Sequence, residues 1–267
     1  MSQYIDSHSH LADQRLEAQL DTWMVEARRQ GFIGHLQGGV GPQDWARQRE
    51  LQAQYPEIWP VFGLHPYWVA QSTEEQCEQG LDQLARKIGK AYALGETGLD
   101  FRSQYLGTSD FGSESENRHR QIRMFEQQLE LARVANKAVV LHVVRAFSEF
   151  LVVWDEFGHG LSGFYHSFAG DWQKAKQLLE RGLLVSVGGA LLHPRNEALR
   201  AAVEKIPLEC LLIETDSPDQ SPPAYQGQLN PPFSLFLVAE KVAEIKGITR
   251  EEVLDSSGRN LRKLLHL

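Results

Sequence analysis

The feature that most limits what this chain can fold into is an alternation: a short apolar run, then a longer stretch with helical spacing, repeated along its length. Eight runs stand out, at Tyr4–His8, Ile33–Gln37, Trp59–Gly63, Ala91–Gly95, Val139–His142, Ser162–Tyr165, Leu184–Val187 and Leu211–Glu214. Runs this short read as strands, and strands that alternate with helices build βαβ units around a parallel sheet. Helical period is clear in Leu16–Arg29, where Leu16, Leu20, Trp23, Met24 and Ala27 share a face, and in Arg123–Val134 and Trp172–Leu179. Eight such units predict an α/β fold, a distorted TIM (β/α)8 barrel, and 267 residues suit it as one domain spanning residues 1–267. An open doubly wound sheet would carry a glycine-rich phosphate loop after its first strand. The only candidate, Gly38-Gly39-Val40-Gly41, lacks the G-x-x-x-x-G-K-[ST] pattern and reads as a turn.

With 42% hydrophobic and 23% charged residues, the composition is that of an ordinary folded protein. A net charge of -8 argues against the basic footprint of a non-specific nucleic-acid binder, but not against a polyanionic substrate. Acidic and histidine ligands count as negative or neutral, and bound divalent cations would reverse the field where they cluster. Cys77 and Cys210 lie far apart, in segments that read as a helix and a buried strand, and neither belongs to a C-x-x-C pair. Both read as packing residues of a protein kept in a reducing cytoplasm. The opening MSQYIDSHSH has no basic segment followed by an apolar one, and no run approaches the roughly 18 apolar residues of a membrane span, so no membrane partner is expected.

The first run ends Asp6-Ser7-His8-Ser9-His10. A strand period of two puts Asp6, His8 and His10 on one face, which in a barrel is the interior. Buried imidazoles beside a carboxylate are tolerated when paired or bound to metal, because unpaired polar burial costs kcal/mol; the plainer alternative is a surface His-Ser-His stretch near a frayed end. Other runs end in comparable groups: Glu96 in ALGETGLDF, His142 in AVVLH, His166 after GFY and Asp216 after LLIET. Taken singly, either histidine could be a satisfied core residue, Glu96 a carboxylate at the barrel mouth, and Asp216 a helix cap. Taken together, runs 1, 4, 5, 6 and 8 all place a ligand-capable group at the C-terminal face of the strands, where barrel active sites are built. Four histidines and two carboxylates suit two divalent ions, zinc being the borderline choice and magnesium or manganese possible where oxygen ligands dominate. Paired ions activate water, which is hydrolytic chemistry. Two polar or proline-rich stretches, Asp100–Glu116 and Ser217–Pro232, follow runs 4 and 8 and would overlie that face as loops.

The ordered motifs DSHSH, GLHP at Gly63–Pro66, GETGLDF at Gly95–Phe101, LH at Leu141–His142, HSFAG at His166–Gly170 and ETDSP at Glu214–Pro218 resemble those of the TatD family of metal-dependent deoxyribonucleases, in the amidohydrolase superfamily. The resemblance implies that His8, His10 and Asp216 hold one ion, that Glu96 bridges, and that His142 and His166 complete the second. It also implies that Asp216, with Glu96, acts in catalysis by positioning or deprotonating the attacking water, and that His65 and Asn230 contact substrate. By strand period Asp6 and Glu214 are expected to fix the orientation of the imidazoles. Where related hydrolases bridge their metals with a modified lysine, this chain has Glu96, which favours the TatD branch. Three departures stand out: Val144 replaces an arginine, with Arg145 one residue later; HSFAG stands for HCFSG; and Leu229-Asn230-Pro231-Pro232 stands for RNEP, losing a cation and a carboxylate at the substrate rim. The implied activity is hydrolysis of DNA, single-stranded and from the 3′ end, by a monomer. The alternatives are the same metals acting on a small amide, lactone or ester, and a non-catalytic binding protein that kept the fold.

Overall fold

Pro60 divides what the sequence presents as one strand. In the computed structural model, which describes residues 3–106 and 111–267, the expected run Trp59–Gly63 becomes two short strands on either side of a residue with no N–H to give to a ladder. The described residues accordingly hold nine strands: β1 Tyr4–Ser9, β2 Phe32–Gln37, β3 Ile58–Trp59, β4 Val61–Phe62, β5 Ala93–Asp100, β6 Val139–Val144, β7 Gly163–Tyr165, β8 Leu184–Val187 and β9 Leu211–Ile213. The chain separates at the same place into two compact units. One contains the residues up to Gln37, Gln48–Trp59 and Phe164–Leu267; the other contains Gly38–Arg47 and Pro60–Gly163.

In the first unit all strand pairs are parallel. Asp6 of β1 stands opposite His35 of β2, and His35 opposite Ile58 of β3. On the other side, Tyr165 pairs with Val185 of β8, and Val185 with Leu211 of β9. The turn after β9 is laced onto β1, because the Asp216 N–H donates to the His8 carbonyl (3.0 Å) and the His10 N–H to the Ser217 carbonyl (2.6 Å). Apolar side chains from the strands (Ile5, Leu36, Val185, Leu212) are fully buried, as are Leu235, Val238, Leu254 and Leu261 from helices Leu235–Lys246 and Arg250–Leu265. Thr249 and Glu252 close the latter helix's N-terminus by a reciprocal capping box.

In the second unit β4, β5 and β6 are parallel, with Val61 opposite Ala93, Leu94 opposite Val139 and Gly98 opposite His142. Helix Glu114–Ala135 covers them and contributes two buried glutamines. Gln128 accepts the Leu64 N–H (2.7 Å) and donates to the Leu64 carbonyl (3.1 Å); Gln121 does the same for Asp100, at 2.8 and 3.2 Å. Each amide thus stands in for a missing strand neighbour, satisfying both backbone groups of a residue at a strand end.

Three expectations change. Cys210 lies half-buried at the end of a 3-10 turn, Leu208–Cys210, and not in a strand, because β9 begins only at Leu211. Glu96 is inside an eight-residue strand, β5, and not after its end. The stretch Asp100–Glu116 is not all loop: it holds a one-turn helix, Ser103–Leu106, and the first turn of helix Glu114–Ala135, while residues 107–110 lie outside the described residues. No helix among the described residues is long and apolar enough to cross a membrane.

Candidate metal centre

In the first unit β1 carries His8, His10 follows its last residue, and Asp216 arrives through the turn after β9. Their facing atoms form a near-equilateral triangle: His8 Nε2 to His10 Nε2 is 3.3 Å, His8 Nε2 to Asp216 Oδ1 is 3.5 Å, and His10 Nε2 to Asp216 Oδ1 is 3.4 Å. An ion about 2.0–2.2 Å from three tetrahedrally placed nitrogen or oxygen donors sets those donors roughly 3.3–3.6 Å apart. The triangle therefore fits a divalent ion with no rearrangement. Burial pushes the Asp216 carboxyl up, but the hydrogen bond and charge of His10 and the charges of His8 and His166 outweigh it and hold it down at about 2, so it is a carboxylate at neutral pH. Its other oxygen, Oδ2, accepts from Gln220 Nε2 at 2.5 Å, and Gln220 also donates to Ser167 Oγ at 2.6 Å.

His166 follows β7 and lies against His8, with ring centroids 4.2 Å apart. Its Nδ1 is 3.6 Å from Glu214 Oε1, and Glu214 is fixed by the Ser167 N–H (2.6 Å) and the Ser186 hydroxyl (2.5 Å). Glu214 Oε1 thus faces the His166 ring without a hydrogen bond to it. Asp6 is not an imidazole partner. Its carboxyl oxygens accept the Thr215 N–H (3.0 Å), the Thr215 hydroxyl (2.5 Å) and the His8 N–H (3.3 Å), so it clamps β1 to the turn after β9. Irregular register within β1 breaks the strict period of two on which the other role rested. Burial pushes the Asp6 carboxyl up to about 8. Asn230 is buried, and its Nδ2 donates to the carbonyls of Thr215 (2.8 Å) and Asp219 (3.0 Å), so it ties together the proline-rich loop.

In the second unit His142 Nδ1 is 3.3 Å from Glu96 Oε2 and 3.2 Å from His65 Nε2, and His65 Nε2 is 3.7 Å from the same Glu96 oxygen. The three could be taken for another ligand triangle, but hydrogen bonding separates their roles. His142 Nε2 faces Asp100 Oδ2 at 3.2 Å. A proton shared there leaves the Nδ1 lone pair for an ion, the carboxylate–histidine–metal pattern. His65 is the reverse: its Nδ1 accepts the Tyr67 N–H at 2.8 Å, so in the neutral ring Nε2 carries the hydrogen and is a donor. Glu96 Oε2 and His142 Nδ1 could therefore serve as metal donors, whereas His65 Nε2 suits an anionic oxygen.

Sequence reasoning missed Asp100, Gln220 and Gly39. Burial raises the Asp100 carboxyl, but the hydrogen bonds to His142 and Arg102 outweigh it and hold it well below the usual carboxylate range. It lies four residues after Glu96 on β5, so strand period was a usable signal. Gly39 is more than a turn residue. Its carbonyl accepts the Glu96 N–H at 2.9 Å, and a Cβ there would lie 2.1 Å from the Gly95 carbonyl oxygen and 2.6 Å from that of Val61. Only glycine lets the backbone come that close. Val144 is half-buried and Arg145 exposed, the latter with a left-handed φ of 55°.

With this geometry in hand, the comparisons with known proteins are specific. The family profile described as TatD related DNase matches residues 5–266. The chain is 26% identical over 264 residues to the uncharacterized metal-dependent hydrolase YjjV of Escherichia coli K12, covering 99% of this chain and 98% of that one. The crystal structure of that TatD homologue superposes with a TM-score of 0.85 over 99% of this chain and 98% of that one. A protein named 3′-5′ ssDNA/RNA exonuclease TatD, from Citrobacter rodentium, is 29% identical, covering 91% of this chain and 90% of that one. At 12% identity and a TM-score of 0.64, over 96% of this chain and 97% of that one, the phosphotriesterase homology protein of Escherichia coli shares the fold. The fold class is the α/β barrel of these proteins, with the interruption at Pro60 as its distortion.

Proposed function

The chain belongs to the TatD-related DNase family and is a metal-dependent hydrolase, and from that premise we propose that it cleaves phosphodiester bonds of DNA, single-stranded and from the 3′ end, using two divalent ions. The observation that carries this reading is the His8, His10 and Asp216 triangle, whose edges of 3.3 to 3.5 Å fit one ion. Two imidazoles and a carboxylate suit zinc, with manganese or magnesium as the other candidates. Glu96 and His142 would supply two donors for a second ion. Bound ions of this kind supply a water that ionises near neutral pH and a positive field for the phosphate.

The chain's own residues do the rest. Asp216 stays ionised and is held at Oδ2 by Gln220, so it would help to orient the attacking water. His65 donates its Nε2–H to a phosphate oxygen, a bond that strengthens as negative charge builds up there. Asp100 holds His142, and Glu214 faces His166. The exonuclease name of the Citrobacter relative supports the choice of substrate. Replacing Asp216→Asn is expected to abolish metal-dependent cleavage of single-stranded DNA; undiminished cleavage by the variant at equal purity overturns the reading.

A second reading, hydrolysis of a small ester, amide or lactone at the same centre, is favoured by one observation. Val144 stands in place of the family's arginine, and Leu229-Asn230-Pro231-Pro232 in place of RNEP, which removes charged groups from the rim. Turnover of neutral esters or lactones with no cleavage of DNA would select it.

A further inference from the structure

Beside His65, Glu96 and His142 lies a wall that the mechanism above does not use. Tyr67 and Tyr105 meet edge to face, with ring centroids 5.1 Å apart at 76°. Tyr67 also meets the His65 ring at 6.3 Å, and the Arg102 guanidinium lies over the Tyr105 ring, 4.7 Å from its centroid. Arg102 Nε is 2.9 Å from both oxygens of Asp100, whose Oδ2 faces His142 Nε2. These contacts close a circuit from His142 through Asp100, Arg102, Tyr105, Tyr67 and His65 back to His142, all within the second unit. The wall is therefore continuous with the donor groups of the candidate site.

Tyr67 is 37% exposed, whereas most large apolar side chains of the described residues are buried. Held edge-on by His65 and Tyr105, it is a fixed ring with part of its surface in water. Arg102 spends Nε and Nη2 on Asp100 and has no bond from Nη1 among the described residues, so a cationic donor stands at the wall's edge. A fixed aromatic surface next to a cation suits a planar heterocycle attached to an anionic backbone. Exposed aromatics of this kind bind successive bases of single strands, because every base has a π-face.

We propose that Tyr67, braced by Tyr105 and Arg102, is a stacking platform for the base of the nucleotide adjoining the scissile phosphodiester. This inference rests on the phosphodiesterase reading and deepens it: a base already stacked within a duplex cannot reach Tyr67, so the platform selects a strand with unpaired bases.

The test compares two single-stranded oligonucleotides of equal length, one with normal bases and one with abasic residues at its last three positions. Wild-type protein is expected to cleave the base-bearing strand with about ten-fold higher kcat/KM, most of it in KM, as one stacked base would give. In Tyr67→Ala that preference falls to about one, and in Tyr67→Phe, which keeps the ring, it returns. Equal cleavage of both strands by wild type, or an unchanged preference in Tyr67→Ala, overturns the platform. Binding of the same labelled strands by chelated protein separates the two readings. Base-dependent binding that Tyr67→Ala abolishes supports the platform even if no metal restores cleavage, a result that would overturn only the phosphodiesterase reading.

Discussion

His65 accepts the Tyr67 amide proton at Nδ1, so what it can offer a ligand is the hydrogen on Nε2. His65→Ala is accordingly expected to lower kcat/KM for DNA by about 10²-fold, the loss typical of one donor to a developing oxyanion, with metal content unchanged. Loss of a metal equivalent, measured by elemental analysis, would make it a ligand instead. Asp100→Asn should act the other way, weakening binding of one ion by about 10- to 100-fold through His142; metal titration of the variant checks this. His35 gives a residue-scale prediction away from the site. It is fully buried against Phe32, with neither ring nitrogen hydrogen-bonded among the described residues, and burial pushes it down to about 3 from an ordinary 6.5. The unfolded chain takes up this proton below pH 6.5 and the folded chain does not until about 3, so stability is lost as pH falls through that window. At pH 5 the loss is about 2 kcal/mol, from about 1.4 kcal/mol per pH unit. His35→Leu should remove that part of the acid sensitivity, which denaturant titrations of both proteins at pH 7 and pH 5 would detect as a smaller difference in the variant.

At the scale of elements, the strand and helix pattern was legible wherever apolar spacing was regular. Helix Trp172–Leu179 and strand Leu184–Val187 lie where the spacing puts them. The metal-binding candidates were legible because they stand on or just after strands in short distinctive runs. Their supports were not, since Gln121, Gln128 and Gln220 look like any other glutamine until folding brings a backbone amide or a carboxylate to them. Asn230 shows the converse: its motif position suggests substrate, and only the fold reveals that its amide also ties two carbonyls of its own loop. Gly39 looked like a simple turn because the approach of Gly95 and Val61 is tertiary. Gly39→Ala should displace the β5 backbone at Glu96, destabilise the fold by about 1–3 kcal/mol as overpacking does, and weaken metal binding. Thermal unfolding with and without metal reads both effects, and a fully stable variant with unaltered metal affinity would contradict the role given to Gly39.

For the whole molecule, the account makes metal part of both stability and catalysis. An ion held by these buried histidines and carboxylates binds the folded chain and not the unfolded one, so chelation should lower the melting temperature as well as remove activity. The central claim is two ions serving one hydrolytic reaction on DNA. The measurement that tests it most directly follows cleavage of a single-stranded oligonucleotide while chelated protein is titrated with zinc or manganese. The account predicts no cleavage at the start and a plateau at about two equivalents; cleavage that survives chelation, or that saturates at one equivalent, would contradict it.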